Sequence, residues 1–459
     1  MIERVDEGKC EGMAARPNDP TDKVRELQRT LFRAAKRNQS RRFHALYDRI
    51  HRSDVLLEAW RRVRANRGAA GVDHTTLGAI EAAGVEPFLE EIQGELVRGE
   101  YRASPVQRRY IPKPDGRVRP LGIPTVKDRV VQAATKIVLE AIFEADFEDF
   151  SYGFRPKRSA TDALEAIRLI GGRGHRCVVD GDIKSFFDSI EHERLMELVE
   201  ERISDRRVLK LIRQFLRAGV MEAGEVRETK LGSPQGGVIS PLLANIYLNH
   251  LDRMWKRSFA HLGHLVRYAD DFVVLCRTQV QADEALRRVR EILEGLSLEL
   301  HPEKTRVVEL SEDSGGFVFL GCYLRIVRSY FKGRTYLFRW PSPKAMKSLR
   351  AKVKELTDRR RRAGMRDIEE VIADLNPLLR GWSNYFRTGN ASRHFIAIDH
   401  YVWTRLVRLL AKQRGWRGHK LRRRIRRMRS EWPMHRLHDV HGLYKLTGTI
   451  RYPGSPHAA

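Results

Sequence analysis

Two adjacent carboxylates, Asp270 and Asp271, stand between short apolar runs in the segment HLVRYADDFVVLC. Leu265 and Val266 precede them and Phe272 to Leu275 follow, a pattern that predicts two strands joined by a tight turn. The turn presents both carboxylates at its tip, where hard oxygen ligands suit a divalent cation beside a nucleoside triphosphate. Asp is also a common turn residue, so Tyr268-Ala269-Asp270-Asp271 takes its meaning from its company. Upstream, VVDGDIKSFFD runs from Val178 to Asp188: an apolar strand ends in Asp180 and Asp182, and the bulky pair Phe186-Phe187 follows. With that strand beside the hairpin, Asp182 and Asp270 face one another, and such a pair can bridge two Mg²⁺ ions about 3.5–4 Å apart. In-line phosphoryl transfer is mostly positioning and charge neutralisation, so carboxylates, metal and basic side chains suffice. No Ser-His-Asp or Cys-His arrangement is evident.

The elements that must position these residues follow from pattern. Between 125 and 300, apolar strands alternate with helical segments at 161–170, 193–201, 205–217 and 281–295 in no strict βαβ rhythm. That predicts an α+β fold and not a doubly wound sheet. RRYIPKPDGRVRPLGIP (108–124) reads as a basic hairpin turning at Pro114-Asp115-Gly116. Leu231-Gly232-Ser233-Pro234-Gln235-Gly236-Gly237 is a Gly-rich loop before an apolar helix. Its backbone can approach a planar partner closely, and Gln235 offers both donor and acceptor. Residues 295–305, GLSLELHPEKT, end a helix and deliver Lys304, and a further strand pair occupies about 317–340. After Pro341-Ser342-Pro343 the pattern turns helical, with one stripe at Met346, Leu349, Val353 and Leu356 and another at Ile368, Val371, Ile372 and Leu375.

Charge narrows the partners. The 459 residues carry 86 Lys and Arg against 59 Asp and Glu, a net charge of +27, with 42% hydrophobic residues. This is a folding chain whose surplus favours nucleic acid. No apolar run approaches the roughly 18 residues of a membrane span, and residues 1–20 have no apolar signal core. Cys10, Cys177, Cys276 and Cys322 lie far apart, which fits a reducing cytosol and no disulfide framework. Residues 344–430 hold 25 Lys and Arg against 7 Asp and Glu, a local +18, with Trp382, Tyr385, Phe386, Trp403 and Trp416 interleaved. Such a region suits phosphate contact, and its aromatics could stack bases, although each one singly reads more readily as a core residue.

In chain order stand IPKPDGRVRPLGIP, SYGFRPKRS, DGDIKSFFDSI, SPQGG, YADD, GLSLELHPEKT and FVFLGCYL. The series resembles the successive blocks of reverse transcriptases, specifically those encoded by bacterial group II introns. Gly381-Trp382-Ser383-Asn384-Tyr385-Phe386-Arg387 is similar to the signature of their thumb, or maturase, domain, and HGLYKLTGTIRYPG to their closing segment. The resemblance implies a right-hand polymerase of α+β class. A tail (1–20) would precede fingers and palm (21–340); an all-α basic thumb/maturase domain (341–430) and a C-terminal segment (431–459) would follow.

By the same resemblance, Asp182 and Asp270 bind metal with Asp271 in support, and Ile183 lends a carbonyl to one ion. Phe187 excludes a ribose 2′-hydroxyl, Lys113 and Arg119 grip the triphosphate, and Gln235 supports the nascent base pair. Lys304 is the candidate general acid for pyrophosphate. The cofactor is Mg²⁺, two ions, with Mn²⁺ as a substitute. The implied partners are the group II intron RNA, an RNA template with DNA primer, target DNA and dNTPs, in a bacterial cytoplasm and at the nucleoid during mobility. No paired cysteines follow Cys322, so the HNH-type nuclease of many relatives is expected to be missing, with priming from a fork or nick. Two rivals share the bulk properties: an RNA-binding splicing factor with a dead polymerase site, and a reverse transcriptase of retron, diversity-generating or defence type. The intact Asp182, Asp270 and Asp271 oppose the first; the maturase-like segments oppose the second.

Overall fold

The structure is a computed structural model that describes residues 20–112, 118–222, 225–227, 232, 236–329, 333–358, 367–413 and 442–449. Its backbone divides into two compact units. The first comprises Met1–Pro156, Ile183–Arg257 and Val289–Leu300; the second comprises Lys157–Asp182, Ser258–Arg288 and His301–Ala459.

In the first unit, helix Val126–Phe143 is buried along nearly its whole length, polar Asp128, Arg129 and Gln132 included. That is the pattern of a helix surrounded by its neighbours. Pro20–Arg37 and Ser53–Ala65 pack on it and on each other. Thr125 caps its start by accepting from the Asp128 N–H at 3.0 Å, satisfying a donor the first turn leaves open. A four-stranded sheet has the order Val118–Ile123, Val106–Pro112, Val220–Glu222, Glu225–Arg227. The first two strands form the expected basic hairpin, Ile111 opposite Arg119. The parallel pairing of Val106 with Val220 joins segments more than a hundred residues apart and has no local sequence signal.

The second unit is built on a four-stranded antiparallel sheet in the order His264–Tyr268, Asp271–Cys276, Cys177–Asp182, Arg306–Glu309. Its two central strands read as near-continuous apolar runs, Val178-Val179 and Phe272 to Leu275, all wholly buried. Helix Ala160–Gly172, opened by a capping box between Ser159 and Asp162, packs on it. A second sheet orders Thr335–Pro341, Cys322–Arg328, Phe317–Phe319.

The two apolar stripes after 343 become helices Pro343–Leu356 and Ile368–Phe386, which pack against each other and against Ser392–Gln413 and bury those residues, Leu356 only in part. Residues 442–449 dock on these helices, where the Asp399 carboxylate accepts from the N–H groups of Leu446 (3.0 Å) and Thr447 (3.1 Å). The aromatics of this region fall to the reading of each one singly as a packing residue. Phe386 and Trp403 are buried core, Trp382 packs on Phe386 and Phe395, and the Tyr385 hydroxyl donates to the Leu320 carbonyl at 2.8 Å. Burial of these large rings against neighbours outweighs their availability to bases. Trp416 lies outside the described residues.

Candidate active site

The paired carboxylates sit where two strands meet. Tyr268 ends one and Asp271 begins the next, with Ala269 and Asp270 as the connecting turn. Ala269 takes φ +58°, a left-handed conformation that costs a residue bearing a Cβ about 1–2 kcal/mol. Asp271 lies directly opposite Tyr268 on one side and Asp182 on the other. Opposed residues share a face of a sheet, and faces alternate along each strand. Asp180, Asp182 and Asp271 therefore lie on one face, with Arg306 opposite Asp180. Sequence reasoning set Asp182 against Asp270; the register sets it against Asp271 and leaves Asp270 one residue further out in the turn.

Negative charge is crowded here. Asp271 is exposed at the start of its strand, yet nearby protein still displaces water from it and Asp270, Asp182 and Asp180 repel its charge, so its carboxyl is pushed up to about 7 against the pull of Lys304. Asp180 rises to about 6, chiefly through burial, with Arg306 opposing. Two cations answer the cluster: Lys304 Nζ lies 2.5 Å from Asp182 Oδ2, and Arg306 Nε lies 3.4 Å from Asp180 Oδ2. Lys304 is delivered by a tight turn fixed to the end of the strand. The His301 N–H donates to the Asp182 carbonyl at 2.8 Å, and Thr305 N–H to the His301 carbonyl at 3.0 Å. Asp182 N–H in turn donates to Thr305 Oγ1 at 3.5 Å.

The donor set fits a hard divalent cation in its chemistry, because it offers carboxylate oxygens and a surplus of negative charge. Among the described residues no three His, Cys, Asp or Glu side chains close around one ion position, and one oxygen of Asp182 is engaged by Lys304.

Four residues missed by sequence reasoning hold the site. Gly181 separates Asp180 from Asp182, opposite Phe272, and any Cβ there would strike the Phe272 ring. A glycine inside an apolar strand is the recognised sign of such an approach. Thr305 and His301 tie the lysine turn to Asp182. Arg267, wholly buried, gives no signal, since an Arg in a strand reads as a polar edge residue.

The other expected site residues belong to the first unit. Ile183, buried and next in the chain after Asp182, forms an isolated bridge with Leu300. Phe187 is half-buried, its ring edge-on to the buried Phe186 at 5.3 Å. This turn is tied to the Gly-rich loop: Gly232, at φ +89°, donates its N–H to the Ile190 carbonyl at 2.8 Å. The Gly232 carbonyl lies 2.7 Å from His192 Nε2. A Cβ on Gly236, at φ +119°, would meet the Gly122 carbonyl of the basic hairpin, so the two segments touch. Gln235 and Lys113 lie outside the described residues, and for Arg119 only the backbone is described.

Comparison with known proteins gives this geometry its class. Residues 111–324 match the family described as reverse transcriptase (RNA-dependent DNA polymerase). Residues 346–432 match the group II intron maturase-specific domain. Protein YkfC of Escherichia coli is 35% identical over 364 residues, which cover 70% of this chain and 93% of YkfC. The group II intron-encoded protein LtrA of Lactococcus lactis is 42% identical over 215 residues, 46% of this chain and 35% of LtrA. A 91 kDa protein in the cob intron of Schizosaccharomyces pombe is 28% identical over 76% of this chain and 51% of its own length. A strand pair bearing the carboxylates inside a reverse transcriptase match defines an RNA-directed DNA polymerase. With the maturase domain behind it, the chain belongs to the reverse transcriptase/maturase family encoded by group II introns.

Proposed function

We propose that Asp182, Asp270 and Asp271 bind the divalent ions of DNA synthesis, with Mg²⁺ in two positions and Mn²⁺ able to replace it. The observation that carries this reading is the register that sets Asp271 opposite Asp182 at the end of the two central strands, with Asp270 in the turn beside them. When bound, such ions neutralise charge on the triphosphate and activate a 3′-hydroxyl. The chain's own residues hold and orient them: Asp182 and Asp270 as principal ligands, Asp271 in support, and the Ile183 carbonyl at one ion. Release of Asp182 from Lys304 frees an oxygen for metal and leaves the lysine a proton donor for departing pyrophosphate. Phe187 stands as the steric filter against a 2′-hydroxyl. Lys113 and Arg119 grip phosphate through charge-assisted bonds, and Gln235 supports the base pair.

The template is RNA with a DNA primer, the substrates are dNTPs, and target DNA is engaged in mobility, at the nucleoid. Residues 341–430 form the thumb in this reading. With the basic N-terminal helices it binds the parent intron RNA and stabilises the fold in which that RNA splices itself. Primer extension on an RNA template with dNTPs, with and without Mg²⁺, tests this assignment. Activity in wild type that is lost in both Asp182→Asn and Asp270→Asn is expected; activity retained in either variant would remove that residue from the metal site.

A further inference from the structure

Beneath the carboxylate turn lies a charge that the chemistry above does not use. Arg267 is 0% exposed, among the largest side chains wholly buried in the described structure. It stands opposite Phe272, on the face turned away from Asp180, Asp182 and Asp271. Burying a guanidinium costs several kcal/mol unless its donors are satisfied, so its retention in an apolar strand calls for a specific task. One partner is on the turn itself: Nη1 donates to the Ala269 carbonyl at 2.9 Å. Ala269 is the turn residue held at φ +58°, and its carbonyl belongs to the peptide that leads into Asp270. A hydrogen bond from a charged donor is worth roughly 1.5–3 kcal/mol, the same order as the backbone strain it opposes.

We propose that Arg267 is a positioning residue: its bond to the Ala269 carbonyl locks the strained turn and thereby sets the direction from which Asp270 meets metal. The bond bears on the geometry of the turn, because it fixes the carbonyl of the peptide that leads into Asp270. Planar fork geometry is the property that lysine lacks, so Arg267→Lys is not a conservative change at this position.

The inference rests on Asp270 being a metal ligand, and the test separates the two. Mn²⁺ binding to the chain free of nucleic acid is read by electron paramagnetic resonance, and kcat by primer extension at saturating dNTP. Three variants are compared with wild type: Arg267→Met, which keeps the volume, Arg267→Lys, and Arg267→Met with Ala269→Gly. Glycine adopts the left-handed turn without steric cost, so it replaces what the arginine bond supplies. Both single variants are expected to lose at least about tenfold in kcat and about fivefold in Mn²⁺ affinity, and the double variant to recover most of both. A double variant no better than Arg267→Met would overturn the proposal and leave Arg267 a core residue. So would full activity in Arg267→Met. Should Arg267→Met fail to fold, Arg267→Lys with and without Ala269→Gly carries the same comparison. Unchanged Mn²⁺ binding in Asp270→Asn would instead refute the metal assignment on which the inference stands.

Discussion

The carboxylate end of the central sheet and the helices after residue 343 use charge in opposite ways. At the sheet end a few groups are fixed by backbone. Asp182 is held by the His301 and Thr305 bonds, Asp271 by its register, and Lys304 by a tight turn. Asp182 and Asp180 each face a named cation there, and moving one group by an ångström changes the chemistry. On the helices the apolar stripes pack inward while side chains such as Lys344 and Lys347 stand exposed. There the basic charge acts as a sum, and no single side chain is decisive. The first region is read residue by residue, and the second only through its total.

Asp270→Asn should break this contrast most sharply. Loss of several kcal/mol of transition-state charge stabilisation predicts about a 10³-fold fall in primer extension, with binding of the folded intron RNA within about twofold of wild type in a filter assay. A parallel loss of splicing would show that the two regions are not separable. Lys304→Met comes next, with about a 10²-fold drop in the rate of nucleotide addition if the lysine supplies a proton. A change confined to the KM for dNTP would make it a phosphate-binding group instead.

Phe187→Ala should alter which nucleotide is used and leave the rate of DNA synthesis nearly intact. About a tenfold gain in rNTP incorporation is expected, and unchanged selectivity in the same assay removes the steric assignment. The smallest effect belongs to the helices. Lys344→Gln with Lys347→Gln should weaken RNA binding only a few-fold and flatten the slope of log affinity against log salt by about 0.7 to 0.9 per lost phosphate contact. A wild-type chain with no salt response would mean that the basic helices are not the binding surface.

Strands, hairpins and helical stripes were legible because each follows a local period. The register was only half legible. Apolar alternation predicted that the Val178 strand joins the 265–275 hairpin, but it could not tell whether Asp270 or Asp271 faces Asp182. Gly181 carried a readable sign, a glycine inside an apolar strand, yet its cause lies on another strand some ninety residues later. Arg267 carried none, because burial is a property of the packed molecule. The aromatics of GWSNYFR left two readings open: interleaved with charge they could stack bases, while each one singly reads more readily as core, and packing buries Phe386 and leaves Trp382 and Tyr385 half-buried. The wider boundaries at 341 and 430, and the roles of Lys113, Arg119 and Gln235, rest on the family resemblance alone.

The order of the main sheet has a further consequence. The strands that carry Asp182 and Asp271 are its two inner members, each hydrogen-bonded on both sides, while His264–Tyr268 and Arg306–Glu309 form the margins. Edge strands can fray without exposing the middle of a sheet. Thermal opening at the margins therefore loosens Lys304 and Arg306, or the Arg267 support, before it disturbs the pairing of the carboxylate strands. The carboxylate pair proposed to bind metal resides in the last part of the sheet to come undone, and the groups that tune it in the first.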